Sequence, residues 1–311
     1  MAPLRAFQLA ARLATTTAAL MFGLIVVGSV VRTTGSGLSC PDWPLCQGRL
    51  IPPLQFNVFV EWFHRLIALG VGLMLFATAG TVLRSRATRA RLGGLAALAV
   101  TLYLTQALLG ALTVWKLLDP SIVSGHLAVG LLLFATLVTL AVLARAEARS
   151  ATADDALPRP SGLLPLFGIA TLMTWLQAVL GGMVSTHHAG LACPDWPTCN
   201  GEWFPAISGL VGLQVLHRFG AYALTAVLAW LAIDSRRSPL APTRRAGALA
   251  LGLACAQVVL GVANVLAGIA VWISALHLAV ATALLATLLV ATLRLAAQPA
   301  PRGAWVEAGA R

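Results

Sequence analysis

The sequence CPDWPLCQG at residues 40–48 recurs almost unchanged as CPDWPTCNG at residues 193–201, an offset of 153 residues. With the same offset, EWFHRL at residues 61–66 corresponds to QVLHRF at residues 214–219. Four more positions recur with an offset of 151: Gln106, Gly110, His126 and Leu127 as Gln257, Gly261, His277 and Leu278. Self-similarity over this length indicates a duplicated structural unit. The chain is therefore predicted to consist of two tandem halves.

The composition indicates an integral membrane protein. The 311-residue chain is 59% hydrophobic and only 10% charged, whereas soluble domains carry about 25% charged residues. The apolar residues fall into blocks of about 20, the length of a helix that spans a bilayer, and none alternates with the period of two that barrel strands show. Eight spans are predicted, four in each half: 12–32, 58–82, 92–115, 121–144, 162–184, 210–233, 246–268 and 271–293.

The even number of spans in each half predicts the topology. Both halves enter and leave the membrane on the same side, so the fold class is all-α, with two tandem pseudo-symmetric four-helix bundles related as parallel repeats. Of the 21 basic residues, 16 lie on the side that holds both termini. The positive-inside rule makes that side cytoplasmic. The net charge of +11 thus reflects topology, and nucleic acid is not an expected partner.

Three segments follow from this division. Residues 1–150 are predicted to form the N-terminal bundle, and residues 162–311 the C-terminal bundle. A flexible cytoplasmic linker lies between them, at residues 151–161 or, more broadly, from about residue 145.

Four of the five cysteines form two pairs in loops on the outer side. Pro-Asp-Trp-Pro between the partners is rich in turn formers and brings the thiols together, in a compartment that permits disulfides. Each pair, Cys40 with Cys46 and Cys193 with Cys199, either braces its loop or, in the first loop, takes part in redox chemistry. Zinc is disfavoured because the pairs lie in different halves. Cys255, alone in span seven, is expected to be a packing residue.

Four of the six histidines lie inside spans: His64, His126, His217 and His277. Each follows the outer end of its span by about six or seven residues, roughly 8–10 Å below the membrane rim. Ionisable groups inside spans are costly and point to function. The other two, His187 and His188, lie in an outer loop and are either solvated or part of a substrate entrance.

Two imidazoles in each half suit a heme. Two ligands are too few for a closed zinc or copper site, whereas heme iron needs only two axial ligands from the protein. The sequence has no Cys-x-x-Cys-His motif, so the heme is expected to be non-covalent. Arg65 and Arg218 follow their histidines and either pair with heme propionates or extend to the interface.

One position breaks the symmetry between the halves. Glu61 lies three residues before His64, on the same helix face, and its counterpart is Gln214. A carboxylate can take a proton or stabilise a developing cation, and an amide cannot take a proton. Glu61 is therefore the catalytic candidate, unless it only pairs with Arg65.

The chain resembles the heme A synthases, membrane enzymes that make heme A for terminal oxidases. The resemblance covers nearly the whole chain. Five stretches carry it: TGSGLSC at 34–40, EWFHR at 61–65, Gly125-His126, Leu216-His217-Arg218 and Leu276-His277. It implies oxidation of the C8 methyl group of heme O to the formyl group of heme A.

The resemblance also implies roles for the candidate residues. His64 and His126 become ligands of the substrate heme, and His217 and His277 become axial ligands of a resident heme b. Glu61 becomes the functional glutamate, and Cys40–Cys46 the first-loop disulfide. The expected partners are heme O, heme O synthase, an electron donor and membrane lipids, and whether the chain forms a homo-oligomer is left open. The implied location is the bacterial inner membrane, with the cysteine loops facing the periplasm.

Three rival functions stay open at this point. An electron-transfer cytochrome b predicts equivalent halves, which the Glu61/Gln214 difference disfavours. A non-enzymatic heme carrier or oxidase assembly factor predicts bound heme but no formyl product. A membrane thiol oxidoreductase uses the loop cysteines and leaves the four span histidines unexplained.

Overall fold

The computed structural model describes residues 3–150 and 162–298. Over these residues the chain forms eight α-helices, each long and apolar enough to cross a membrane. They are α1 (Pro3–Thr33), α2 (Phe56–Arg84), α3 (Arg86–Trp115), α4 (Pro120–Ser150), α5 (Leu163–Thr186), α6 (Gly209–Ser235), α7 (Ala241–Leu266) and α8 (Val271–Ala296). The predicted all-α class and the eight spans are confirmed, and the chain is a multi-pass membrane protein.

Several helices extend beyond the predicted spans at their arginine-rich ends. α1 begins at Pro3 and α3 at Arg86, and α4 continues to Ser150. Residues 145–150, which the broader linker prediction included, are therefore helical, and that part of the prediction was wrong. Hydropathy locates only the segment that lies in hydrocarbon, whereas a helix continues into the headgroup region to keep its backbone groups hydrogen-bonded. The linker at 151–161 lies outside the described residues.

Helices α1 to α4 pack against one another, as do α5 to α8, and the two groups meet along α1, α4, α5 and α8. This junction is close-packed. A Cβ at Gly182 of α5 would lie 2.5 Å from the Leu127 side chain of α4. The buried hydroxyls of Ser124 in α4 and Thr186 in α5 are 2.8 Å apart. The glycine and the polar pair fix α5 against α4, and so one group of helices against the other.

The outer faces of the helices carry large apolar side chains, such as Leu73, Leu104, Leu172 and Val259, each more than half exposed. In a membrane these faces contact acyl chains. Cys255 of α7 is on this outer face too, because it is exposed and unpaired. The prediction that it packs in the core was wrong. A helix that is apolar all round does not reveal which side faces lipid.

Candidate functional site

The two cysteine loops, residues 34–55 and 187–208, have the same internal construction. Each contains a disulfide, Cys40–Cys46 in the first and Cys193–Cys199 in the second. Asp42 accepts hydrogen bonds from the backbone of Gln47 (2.6 Å) and Gly48 (2.8 Å). The hydrogen bond from Gly48, followed by the one from Gln47, lowers the pKa of the Asp42 carboxyl from its usual value.

In the second loop an aspartate accepts the corresponding backbone hydrogen bonds and one more from a side-chain hydroxyl. Asp195 accepts hydrogen bonds from the backbone of Asn200 (2.7 Å) and Gly201 (2.9 Å). It also accepts one from the Thr198 hydroxyl, whereas the first loop has Leu45 at the matching position. The Thr198 bond and the backbone bonds together lower the pKa of Asp195 to about 2. Both loops are therefore rigid, ionised turns.

The arginine that follows a histidine holds each loop onto its helix. Arg65 donates from Nη1 to the carbonyl of Asp42 (2.6 Å) and from Nη2 to that of Cys40 (2.9 Å). Arg218 donates from Nη2 to the corresponding carbonyls of Cys193 (2.7 Å) and Asp195 (3.0 Å), and from Nη1 to that of Thr198 (2.8 Å). These bonds fix the loops above the histidines. The pairing of Arg65 and Arg218 with propionates stays a prediction.

The four span histidines line one cavity of about 1750 Å³, and residues of both helix groups contribute to its wall. Each histidine lies in about the first three turns of its helix, near the cysteine loops;. Pockets for single small molecules are typically about 300–1,000 Å³. The cavity is therefore large enough for more than one bulky ligand.

Each of these imidazoles packs against a glycine of the preceding helix. A Cβ built on the glycine would lie 2.9–3.3 Å from the histidine Cε1, tighter than most Cβ contacts, so the ring would have to shift. The pairs are Gly28 with His64, Gly110 with His126, Gly181 with His217 and Gly261 with His277. Each glycine lies five residues before the end of its helix. The glycines thus place all four rings by a common device, and sequence reasoning had noted only Gly110 and Gly261, as members of the repeat.

The imidazole nitrogens fit a heme. Among the described residues, Nδ1 of His64, His126 and His277 is buried and has no hydrogen-bond partner, a cost in free energy that stability alone does not explain. The described residues contain no group of three or more metal-ligating side chains. Paired single imidazoles beside a large, mainly apolar cavity match a planar macrocycle that supplies the other four ligands itself.

Glu61 and Gln214 occupy matching positions but differ in their contacts. Glu61 is 4% exposed, lies 2.6 Å from Arg65 Nη2 and accepts a 2.9 Å hydrogen bond from the backbone of Cys40. Gln214 donates a 3.3 Å hydrogen bond to the carbonyl of Gly190, and its buried Oε1 has no partner among the described residues. Both side chains line the cavity. Glu61 therefore pairs with Arg65 and also borders the space beside His64.

The outer-loop histidines have different surroundings. His187 ends α5, with Nδ1 2.9 Å from the carbonyl of Met183. His188 is exposed and lines the cavity, with Nε2 3.5 Å from Arg32. Arg32 in turn donates to the carbonyl of Ser185, which joins α1 to α5. His188 and Arg32 thus lie at the rim of the cavity, and Arg32 was missed in the sequence because it was counted only as a topological charge.

Sequence reasoning also missed Gln177. Its amide nitrogen is 3.0 Å from His217 Nδ1 and donates to the His217 carbonyl at 2.8 Å. The available signal was the spacing Gln-x-x-x-Gly, which Gln177 and Gly181 share with the pairs in α3 and α7.

Comparison with known proteins identifies relatives over most of the chain. The profile of the family described as cytochrome oxidase assembly protein matches residues 11–57 and 54–289. A heme A synthase of Symbiobacterium thermophilum is 35% identical over 253 residues, which cover 78% of this chain and 81% of the relative. A heme A synthase of Methylobacterium sp. (strain 4-46) is 32% identical and that of Halalkalibacterium halodurans 30% identical. The two alignments cover 84% and 86% of this chain and 84% and 91% of the relatives.

Proposed function

The chain belongs to the heme A synthase family, and we propose that it oxidises the C8 methyl group of heme O to the formyl group of heme A. The observation that carries this proposal is the cavity that two histidines from each helix group line, with the carboxylate of Glu61 in the wall of the first group and the amide of Gln214 at the matching position of the second. A simple electron carrier has no need for that difference. A thiol oxidoreductase has no need for the four histidines.

In this proposal the first helix group binds the substrate. His64 and His126 hold the iron of heme O, and the C8 methyl group lies within reach of Glu61. The support is the buried position of Glu61 at the cavity wall, one helical turn from His64;. A buried carboxylate can accept a proton from an oxidised methyl group or stabilise positive charge that develops on it.

In the second helix group, His217 and His277 are the residues that would hold a resident heme b. When bound, this heme supplies one-electron transfer. The protein's part is to keep both rings in place, through Gly181, Gly261 and the Gln177 contact. Gln214 stands here at the position of the carboxylate. Its amide is not a proton acceptor, and a heme that only carries electrons does not need one nearby.

The proposal places the enzyme in the bacterial cell membrane with the cysteine loops on the periplasmic side. The support is the arginine distribution, since the ends of the helices opposite the cysteine loops carry most of the basic residues;. In this proposal heme O synthase supplies the substrate, and an electron donor or acceptor serves heme b.

Identification of the hemes extracted from the purified protein and its variants tests the assignment of the two sites. We expect His217→Ala to lose heme b and retain the ability to bind heme O, and His64→Ala to retain heme b and lose heme O and heme A. Formation of the formyl product, followed by chromatography, separates an enzyme from a carrier. The assignment is contradicted if His217→Ala retains heme b. It is also contradicted if His64→Ala loses heme b and His217→Ala does not.

A further inference from the structure

Each histidine-facing glycine is preceded, four residues earlier, by a residue that lines the same helix face. Three of these four residues are glutamine and one is leucine. In chain order they are Leu24, Gln106, Gln177 and Gln257, and all four line the cavity. The leucine belongs to the helix that packs on His64, the proposed substrate ligand.

The glutamines of α5 and α7 both hold the histidine-bearing helix that follows them. Gln257 donates to the carbonyl of His277 at 2.7 Å, and Gln177 donates to the carbonyl of His217 at 2.8 Å. Only Gln177 also contacts the ring, with its amide nitrogen 3.0 Å from Nδ1. An imidazole that binds iron through Nε2 carries its proton on Nδ1, so the Gln177 amide then has to turn its oxygen toward Nδ1 and accept a hydrogen bond from it. In that orientation it contacts the ring instead of donating to the His217 carbonyl.

Leu24 offers no such contact. It is 7% exposed and belongs to a buried apolar cluster with Met21, Ile25 and Val71. Within the described part of the chain, His64 Nδ1 has no hydrogen-bond partner. Among the described residues, the ring of His64 is therefore positioned by packing, including its contact with Gly28, without a hydrogen bond to Nδ1, whereas the ring of His217 has both a packing contact and a contact with an amide.

A hydrogen bond to the second nitrogen of a ligating histidine fixes the ring, and its loss typically lowers metal affinity by about 10–100-fold. We propose that Gln177 and Leu24 set how long each site keeps its heme: Gln177 is a positioning residue that makes His217 a lasting ligand, and Leu24 leaves His64 an exchangeable one. This inference rests on the proposed function, in which one heme stays and the other enters as substrate and leaves as product.

The test measures heme release from the purified, heme-loaded protein in detergent. Apomyoglobin is added as a heme scavenger, and the transferred heme is identified by chromatography. Gln177→Met keeps the length of the side chain and removes the amide, and we expect it to release heme b about 10–100-fold faster. Gln257→Met is the matched control, since that amide contacts only the backbone, and its release rate should stay close to that of the wild type.

The reciprocal variant adds the missing amide to the first site. Leu24→Gln should slow the release of heme O and heme A about tenfold, and Leu24→Met, which stays apolar, should not. A readout that a purely structural role would not change is the low-spin ferric EPR signal. We expect it to shift for heme b in Gln177→Met, at unchanged helix content, because the His217 ring is free to rotate.

Three outcomes overturn the inference. Unchanged heme b release from Gln177→Met, in a protein whose His217→Ala variant does lose heme b, contradicts the role of Gln177 and leaves the proposed function standing. Equal acceleration in Gln177→Met and Gln257→Met contradicts the role of the ring contact. Faster release of heme O or heme A instead of heme b from Gln177→Met contradicts both the proposed placement of the hemes and the lasting role of His217.

Discussion

The two helix groups place their histidines by the same device and surround them with different partners. In both, a glycine fits against the Cε1 edge of each imidazole, and an arginine after the first histidine holds a disulfide-bearing loop. The groups differ at two positions beside that first histidine. Glu61 and Leu24 flank His64, where Gln214 and Gln177 flank His217. The shared parts are a scaffold for holding a ligand, so the function of each site is to be sought in the parts that differ.

The largest effect on activity is expected when the carboxylate that distinguishes the two helix groups is removed. Glu61→Gln copies the residue of the second group, and we expect conversion of heme O to heme A to fall about 10²–10⁴-fold because the proton acceptor is lost. Conversion is measured by chromatography of extracted hemes. The reciprocal variant, Gln214→Glu, should not raise it. Full conversion by Glu61→Gln contradicts a catalytic role for this carboxylate.

Substitution of the glycines that face the histidines should weaken heme binding, and more so in the second helix group than in the first. Gly181→Ala places a Cβ 2.9 Å from His217 Cε1, and Gly28→Ala places one 3.2 Å from His64 Cε1. Overpacking of this kind costs about 1–3 kcal/mol, so heme b binding in Gly181→Ala should weaken more than heme O binding in Gly28→Ala. Heme titration followed by absorbance measures both.

The matched controls for these variants lie on the same helices. A Cβ at Gly168 of α5 or at Gly23 of α1 meets nothing within 4 Å. Gly168→Ala and Gly23→Ala should bind heme like the wild type. Equal weakening in a control and its test variant indicates damage to the helix rather than to the histidine contact.

Removal of the disulfides should change stability more than heme binding, and its effect on activity separates bracing of the loop from a link to the site. Replacing either cysteine pair with serine removes a cross-link, which typically costs about 2–4 kcal/mol of stability. Only the first pair lies next to the carboxylate, because the backbone of Cys40 donates to Glu61. We therefore expect similar losses of thermal stability and a larger loss of activity for the Cys40/Cys46 variant. Equal losses of activity contradict a link between the first loop and the site.

The smallest effect is expected on stability at acid pH, where the loop carboxylates of Asp195 and Asp42 become protonated. Because the folded loop lowers the pKa of Asp195 from 3.8 to about 2, its contribution to stability is present above about pH 4 and is lost as the pH falls toward 2. Asp195→Asn should lower the melting temperature slightly at pH 7 and show less further loss in acid than the wild type. Asp42→Asn should change less, since the Asp42 loop has no counterpart of the Thr198 bond. A larger effect of Asp42→Asn contradicts this ranking.

The sequence predicted the helices because blocks of apolar residues report directly on bilayer thickness. It also predicted that His64, His126, His217 and His277 share one region, since the repeat and the span ends give their depth. It did not predict that Arg65 and Arg218 hold the loops, because those carbonyls come into reach only once each loop has folded. The exposure of Cys255 and the contact between Gln177 and His217 depend on how each helix is rotated about its axis. The sequence of a uniformly apolar helix does not reveal that rotation.

The four glycine–histidine contacts also bear on how the fold is divided. Each joins an odd-numbered helix to the even-numbered helix after it, so each four-helix group contains the same helix-pair contact twice. One such pair of helices carries a single histidine and cannot supply both axial ligands of an iron. A site with two histidine ligands therefore needs four helices, which is the size of the unit that the sequence repeats. Leu24 and Glu61 are positions at which the first unit departs from the second.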